Sequence, residues 1–233
     1  PQSRPRLFVV GVKREIGQGG AGDPLHPHPG PAPEGEGGIT VEELEASTVR
    51  PAKLVEAIRR SSDLGWAIAP LPEPPPYGAT PLTAVVDRLP ADDPQWWSQE
   101  RAEYLLNQMS EKHRATADAM IAGKQLSYGG VFRRVRKGRS MAELRTDGLA
   151  GCLRTPKGGS GRQILFEAGR GGFRVRLFNP DECARLMGAD GYRVTTSLNQ
   201  ALFGFGDAVC VDAVAWVAEH RLNPIAERII STA

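Results

Sequence analysis

Arginine and lysine side chains cluster in one part of the sequence, where they could contact phosphate. Between Arg133 and Arg176 there are twelve Lys or Arg residues against three Asp or Glu, a net charge of +9, whereas the whole chain carries only +2. Eight glycines lie between Gly148 and Gly172. Glycine lets a backbone approach a phosphate closely, and a guanidinium donates a fork of hydrogen bonds to its oxygens. The stretch indicates nucleic-acid contacts, with a solvated basic surface as an equally weighted alternative.

The candidate DNA contacts fall into two groups. The first is a short basic run in which most members are expected to contact phosphate, because strand alternation sends neighbours to opposite faces; it comprises Arg133, Arg134, Arg136 and Lys137. The second belongs to a glycine-flanked loop that is better shaped to enter a groove; it comprises Arg154, Thr155, Lys157, Ser160 and Arg162. In this loop Arg154 or Arg162 could read guanine, or the loop is only a mobile turn.

Three other features point to no cofactor or metal site. Gly17-x-Gly19-x-x-Gly22 matches a dinucleotide fingerprint, but the proline-rich segment 23–29 after it cannot form the helix that the motif requires. His26 and His28 have no further metal ligand near them in sequence. The cysteines are odd in number and lack metal spacing, which fits a reducing cytoplasm; they are Cys152, Cys183 and Cys210.

Length and composition set the class of protein. A chain of 233 residues with 40% hydrophobic residues is long enough for one large or two small domains with a real core. No apolar run reaches about 18 residues and no basic-then-apolar leader is present, so neither a membrane span nor a secretion signal is expected. The first residue, Pro1, fits a processed start or a piece of something longer.

The first half of the chain predicts two helical regions. Residues 17–38 are almost all Gly, Pro, Ala, His and acidic residues, which is typical of a flexible loop. Pro51–Ser61 predicts a short helix. Asp93 as N-cap and Pro94 at the first position predict a helical pattern that runs to Gly123. Its core-facing stripe would be Trp97, Tyr104, Leu105, Met109, Met120 and Ile121.

Strand patterns occur near the start of the chain and in the basic stretch. Four runs are apolar or alternate well enough to be strands: Leu7–Val12, Val131–Arg136, Gln163–Glu167 and Phe173–Phe178. Gly169–Gly172 would be the tight turn between the last two.

Two capped helices are expected near the C-terminus. Asn179, Pro180 and Glu182 form the pattern of a capping box, and Gly188 would end that helix. Asp207 would start the last main helix, one face of which would carry Val211, Val214, Ala215 and Ala218.

Three segments together resemble motifs of the DNA (cytosine-5) methyltransferases. Residues 176–188, Arg-Leu-Phe-Asn-Pro-Asp-Glu-Cys-Ala-Arg-Leu-Met-Gly, resemble the ninth motif, Pro-x-Glu-Cys-Ala-Arg-x-Met-Gly. Gln200 and residues 204–209, Gly-Phe-Gly-Asp-Ala-Val, resemble the tenth motif, Gly-Asn-x-Val. Residues 2–6, Gln-Ser-Arg-Pro-Arg, resemble the eighth motif, Gln-x-Arg-x-Arg. The order of the motifs matches that of the family, and the basic stretch falls where the family has its target recognition domain.

The resemblance implies an α/β fold. The chain would supply the C-terminal elements of a Rossmann-like, S-adenosylmethionine-dependent methyltransferase domain and a smaller, mixed α+β target recognition domain. Residues 1–16 would form a strand of the catalytic domain, and residues 17–50 a Gly/Pro-rich loop or linker. Residues 51–196 would form the target recognition domain with the ninth motif, and residues 197–233 the tenth-motif helix that returns to the catalytic domain. DNA would lie in the cleft between the two domains.

The resemblance also implies a reaction. These enzymes flip a cytosine out of the duplex, a cysteine thiolate attacks carbon 6, and carbon 5 then takes the methyl group of S-adenosylmethionine. By motif position Arg6 would donate to the cytosine O2, Arg4 would support Arg6, and Gln2 would be structural. Without the flanking motifs, a surface salt bridge would be the simpler interpretation of the two arginines. The backbone amides of Asp207, Ala208 and Val209 at a helix start would contact the cofactor, most of which another polypeptide would bind.

Departures from the family pattern shape the functional hypothesis. The family's nucleophile sits in a Pro-Cys pair, and no cysteine here follows a proline. The Phe-x-Gly-x-Gly cofactor loop and the Glu-Asn-Val segment, which precede the eighth motif in the family, are also absent. We therefore expect a C-terminal subunit or fragment that is inactive alone and acts on double-stranded DNA with an N-terminal polypeptide that carries those motifs.

This protein would act in the cytoplasm, at the nucleoid and not at a membrane, in methylation for restriction–modification or for regulation. Two alternatives stay open. One is a non-catalytic, sequence-specific DNA-binding protein derived from such an enzyme. The other is a soluble α/β domain with a basic loop.

Overall fold

A computed structural model of the chain describes residues 8, 41–61, 68, 71–75, 80–136, 138–155 and 162–232. These residues divide between two compact units. The larger unit contains the described residues of Pro76–Val217, and the smaller unit contains those of Phe8–Pro75 and Ala218–Ala233.

Helices and strands are both present in the described residues. The helices are α1 (Val41–Ala46), α2 (Ala52–Arg60), α3 (Leu82–Val85), α4 (Gln99–Leu106), α5 (Glu111–Ala122), α6 (Pro180–Leu186), α7 (Leu198–Asp207), α8 (Val211–Val217) and α9 (Asn223–Thr232), with a π-helical segment at Ala218–Leu222. The strands are β1 (Ser127–Arg136), β2 (Arg139–Arg145), β3 (Ile164–Gly169) and β4 (Gly172–Leu177). The chain is a mixed α/β protein, as predicted.

One antiparallel sheet with the order β2-β1-β3-β4 organises the larger unit. β3 and β4 are joined by the predicted two-residue turn, in which Arg170 (φ 57) and Gly171 (φ 80) are left-handed. This pair of positive φ angles is the type I′ geometry that matches strand twist. Three of the predicted strands are confirmed, whereas all but one residue of the fourth, Leu7–Val12, lie outside the described residues. The Rossmann-like domain to which that strand would belong stays a prediction.

Helices cover both faces of this sheet. On one face Val131, Phe166 and Val175 pack against α4 and α5 in one hydrophobic core. On the other face Leu165 packs with α3, α6 and α7 in a second core that includes Phe178. Because β3 is buried on both faces, all six of its residues are inaccessible, as is typical of a central strand.

The predicted helix from Asp93 to Gly123 is wrong in its start and in its continuity. The side chain of Asp93 accepts from Gln95 N (2.8 Å) and closes a turn; helix α4 begins only after Ser98, whose hydroxyl accepts from Arg101 N (3.4 Å). Helix α4 ends at Leu106. Two residues later, Gln108 O accepts a hydrogen bond from Ala142 N of β2 (3.0 Å), so the chain pairs with this strand instead of continuing the helix. Pairing with the sheet overrides the helical pattern here.

The predicted core stripe of this region is confirmed except at one residue. Leu105 and Met109 are buried, and Trp97, Met120 and Ile121 are packed against the same core. Tyr104 is 61% exposed and is therefore not a core residue.

The capping box at α6 is confirmed. Asn179 Oδ1 accepts from Glu182 N (2.8 Å), and Glu182 Oε2 accepts from Asn179 N (2.8 Å), with Pro180 at the first helical position. Gly188 follows the helix in the left-handed region (φ 71), as expected of a helix end.

One helical stretch of the structure, Leu198–Glu227, is long and apolar enough, by length and composition alone, to cross a membrane, and most of it is exposed. The sequence predicts no such stretch, because no uninterrupted apolar run reaches about 18 residues. Residues 208–210 are not helical, and Asp207 and Asp212 flank this break.

The smaller unit contains the predicted helix at Pro51–Ser61, which is confirmed as α2. Helix α1 falls within residues 17–50, so the expectation of a loop throughout that range is wrong at its end. Leu44 and Val55 are buried. Arg59 of α2 forms an ion pair with Glu45 of α1. Burial, together with the charge of Arg221, lowers the pKa of Arg50.

Candidate nucleic-acid interface

Several of the predicted site residues lie outside the described residues: Gln2, Arg4, Arg6, Lys137, Lys157 and Ser160. Arg136 is placed by its backbone as the last residue of β1. The remaining candidates are described and all lie in the larger unit; they are Arg133, Arg134, Arg154, Thr155, Arg162, Asp207, Ala208 and Val209.

Arg133 and Arg134 lie on opposite faces of β1, as alternation predicts. Arg133 approaches the indole of Trp97, with its Cζ 5.6 Å from the ring centre. Arg134 approaches the ring of Phe132 (4.8 Å) and forms an ion pair with Glu143 (3.4 Å) on the neighbouring strand. The predicted alternation of Arg133 and Arg134 is confirmed, and their assignment to phosphate contacts stays a prediction.

Arg101 is a cation of this surface that the sequence analysis missed. Its Cζ lies 3.8 Å from the centre of the Trp97 ring, on the same indole that Arg133 approaches. Burial, and the neighbouring charge of Arg101, lower the pKa of Arg133. The spacing of Trp97 and Arg101 by four residues was the available signal. The sequence pattern places Trp97 in a core-facing stripe, which does not include Arg101.

The glycine-rich loop is anchored at both ends to α7. Before the loop, Arg154 is exposed and Thr155 is half-buried against Gly206. After the loop, Arg162 Nη2 donates to Asn199 Oδ1 (2.5 Å). The two chain segments that flank the loop are joined by Gln163, whose Nε2 donates to Cys152 O (3.2 Å). The guanidinium of Arg162 is thus engaged by α7, whereas Arg154 is exposed.

The contact with Gly206 requires glycine. A Cβ atom at Gly206 would lie 2.3 Å from Thr155 N and 2.7 Å from Arg154 C, which is a clash with backbone. At the opposite side of the loop base, a Cβ at Gly151 would lie 2.3 Å from Gln163 Oε1. Close approach of two backbones is a recurrent reason for glycine, and it applies at Gly206, whereas the close neighbour at Gly151 is the side chain of Gln163.

Residues 207–209 do not start a helix, so the predicted helix start at Asp207 is wrong, and the cofactor contact assigned to these amides stays a prediction. Asp207 is the last residue of α7, and Ala208 is its C-cap. The amide of Ala208 donates back to Gly204 O (2.9 Å) and is not available to a ligand. Val209 lies in the non-helical break before α8. The pattern misled because an acidic residue after Gly-Phe-Gly is as compatible with a helix end as with a helix start.

The ninth-motif region contains a buried polar network. Arg176 and Glu182 are both inaccessible and pair through two hydrogen bonds, from Nη1 to Oε2 (2.6 Å) and from Nη2 to Oε1 (2.5 Å). Arg185 Nη2 and Asn179 Nδ2 donate to the two carboxylate oxygens of Asp87 (2.5 and 2.8 Å). The network ties α6 to the segment after α3 and thus supports the sheet that carries the basic residues.

No described cysteine is set up as a nucleophile in this region. Cys183 is buried, and burial with the charge of Glu182 raises its pKa to about 12. A thiol with this pKa holds its proton at neutral pH and is a poor nucleophile. Within the described residues, no group of three or more His, Cys, Asp or Glu side chains could hold a metal ion.

No protein-family model matches the chain, and the comparison with curated proteins finds no similar sequence. The resemblance to cytosine-5 methyltransferases therefore rests on the quoted residues alone.

Proposed function

We propose that this chain is the C-terminal part of a DNA (cytosine-5) methyltransferase that recognises a sequence in duplex DNA. The observation that best supports this proposal is the anchoring of the arginine- and glycine-rich loop on α7 by Asn199 and Gly206. Helix α7 ends in the segment that resembles the tenth motif. Two segments that the family hypothesis assigns to recognition and to the catalytic domain are thus in direct contact.

The proposed mechanism divides the work between two polypeptides. A partner carrying Pro-Cys, Phe-x-Gly-x-Gly and Glu-Asn-Val supplies the thiolate and binds S-adenosylmethionine in a Rossmann-like domain. This chain supplies the DNA contacts. Arg6, supported by Arg4 and Gln2, holds the O2 edge of the flipped cytosine while charge develops on the ring.

A non-catalytic DNA-binding protein is the second candidate. It is favoured by the hydrogen bond from Ala208 N to Gly204 O, which occupies one of the three amides expected to contact the cofactor. The two candidates differ in whether a partner confers methyl transfer on the chain.

Methyl transfer from labelled S-adenosylmethionine to duplex DNA separates the two candidates. The purified chain alone should transfer no methyl group, and addition of the polypeptide encoded upstream should produce cytosine methylation. In the mixture Arg6→Ala should depress turnover far more than DNA affinity, because the contact is made to the flipped base. Sequence-specific methylation by the chain alone would overturn the division of labour. An upstream reading frame without Pro-Cys and Glu-Asn-Val would favour the non-catalytic protein.

A further inference from the structure

Two arginines lie against one indole ring beside α4. The Cζ atoms of Arg101 and Arg133 lie 3.8 and 5.6 Å from the centre of the Trp97 ring. Trp97 is held firmly, because its backbone N–H donates to Val175 O (2.8 Å) and its side chain packs on the core under α4. A rigid aromatic platform therefore keeps two positive charges close together.

These two charges have no carboxylate partner in the part of the chain that the structure describes. Neighbouring arginines differ in this respect, since Arg114 pairs with Asp118 (2.9 Å) and Arg134 with Glu143 (3.4 Å). Burial lowers the pKa of Arg133, and the nearby positive charge of Arg101 lowers it further, because like charges repel each other. An anion bound between the two guanidinium groups would relieve the repulsion.

The surroundings restrict the site to one small anion. Tyr104 lies one turn after Arg101 on α4 and is 61% exposed, so its hydroxyl is available as a further donor. Glu100 and Glu103 occupy the adjacent ridge of the helix, and Glu103 accepts from Gln99 Nε2 (3.0 Å). These carboxylates line a shallow depression together with Arg101 and Tyr104, and their negative charge offsets the positive charge beyond the arginine pair.

We propose that Arg101 and Arg133 bind a single phosphate group over the Trp97 ring, with the Tyr104 hydroxyl as an additional donor. Guanidinium forks match phosphate oxygens in geometry and charge. The identity of the ligand as a backbone phosphate of duplex DNA rests on the proposed function, and a free phosphate offers the same chemistry. Arg133 lies on β1, which runs on to the predicted DNA-binding cations of the hairpin turn.

The salt dependence of DNA binding tests the site in the full chain. The affinity for a duplex of random sequence is measured against salt concentration for wild type, Arg101→Gln, Arg133→Gln and the double variant. Arg114→Gln is the matched control, since it removes the same charge from the neighbouring helix α5. Loss of one phosphate contact should lower the slope of log affinity against log salt by about 0.9. Because both arginines bind the same phosphate, the double variant should lose no more slope than about one contact.

A titration of inorganic phosphate, read from the arginine Nε–H resonances, distinguishes the source of the anion. Loss of slope in both single variants with an unchanged control supports a DNA phosphate. An unchanged slope, with phosphate shifts in wild type that vanish in Arg101→Gln, supports free phosphate. Variants that match the control in both measurements overturn the site. Wild type that binds no DNA contradicts the proposed function instead, and the phosphate titration still decides the site. Arg101→Lys, which keeps the charge, should retain the slope and controls for altered packing.

Discussion

Arg176 and Glu182 form an ion pair in which both side chains are fully buried. Loss of this pair should therefore lower the free energy of unfolding more than loss of an exposed pair. Removing Glu182 would leave Arg176 charged, inaccessible and without its carboxylate partner. It would also break the capping box at Asn179. Glu182→Ala should therefore destabilise the fold by about 3–5 kcal/mol. Asp118→Ala, which breaks an exposed pair with Arg114, should cost less than about 1 kcal/mol. Urea unfolding midpoints measure both, and equal losses would contradict the argument from burial.

Cys183 should be the least reactive of the three cysteines. Burial raises its pKa from 9.0 to about 12, so iodoacetamide at pH 8 should label Cys152 and Cys210 in the folded chain, and Cys183 only after denaturation. Mass spectrometry of the alkylated peptides provides the measurement. Rapid labelling of Cys183 in the folded chain would show that its pocket is open.

The same raised pKa gives a dependence of stability on pH. Between about pH 9 and 12 the unfolded chain releases the Cys183 proton while the folded chain retains it. The stabilisation is complete below the ordinary thiol pKa and is lost as the pH rises towards 12. Cys183→Ala should therefore flatten the fall of the free energy of unfolding across this range. An identical fall in wild type and variant would contradict this.

Local chemistry made some residues predictable and left others hidden. The pattern Asn-Pro-Asp-Glu fixes a capping box because all its partners lie within one turn. The partner of Glu182 in the buried pair, Arg176, could not be read in this way, since the pair depends on how β4 packs on α6. The proximity of Arg101 and Arg133 at Trp97 was missed for the same reason, because the two arginines are 32 residues apart in the chain.

Helix α7 is the element on which the proposed recognition loop depends. Gly206→Ala would place a methyl group against the backbone of Thr155 and should cost about 1–3 kcal/mol while displacing the loop. Gly204→Ala is the matched control, since a Cβ there meets nothing within 4 Å and should stabilise the helix by about 0.5–1 kcal/mol. Thermal unfolding measures both changes. If Gly204→Ala destabilised the fold and Gly206→Ala did not, the assignment of the close backbone contact to Gly206 would be wrong.

At the level of elements, the sequence predicted periodic segments and missed those fixed by tertiary pairing. The tenth-motif helix was expected within residues 197–233, and Ser197 with Gln200 forms the capping box at its start, but the end of α7 at Asp207 was missed. Strand β2 was missed although its inward residues, Ala142 and Leu144, alternate with polar ones. The break after Leu106 had no local signal, because it arises from the hydrogen bond between Gln108 and Ala142.

In the larger unit, helix α8 exposes an apolar face. Helix α8 has no buried residue, and Val211 and Val214 are 48% and 43% exposed. We expect the isolated chain to self-associate until its partner is added, because contiguous exposed apolar surface marks an interaction site. Val214→Glu should shift sedimentation towards monomer, whereas Val135→Glu on the hairpin should not. A monodisperse, stable wild-type monomer at high concentration would favour the stand-alone binder.

The measurement that tests the central claim most directly is the map of methylated cytosines that the chain and its partner produce in a DNA library. We predict one preferred sequence. Loss of the exposed Arg154 by Arg154→Ala should cost about 1–3 kcal/mol of discrimination and relax the preference at one base pair. Arg134→Ala, which removes a proposed phosphate contact, should weaken methylation of all sequences alike. The absence of any methylated cytosine, or a preference altered by Arg134→Ala but unchanged by Arg154→Ala, would contradict the account.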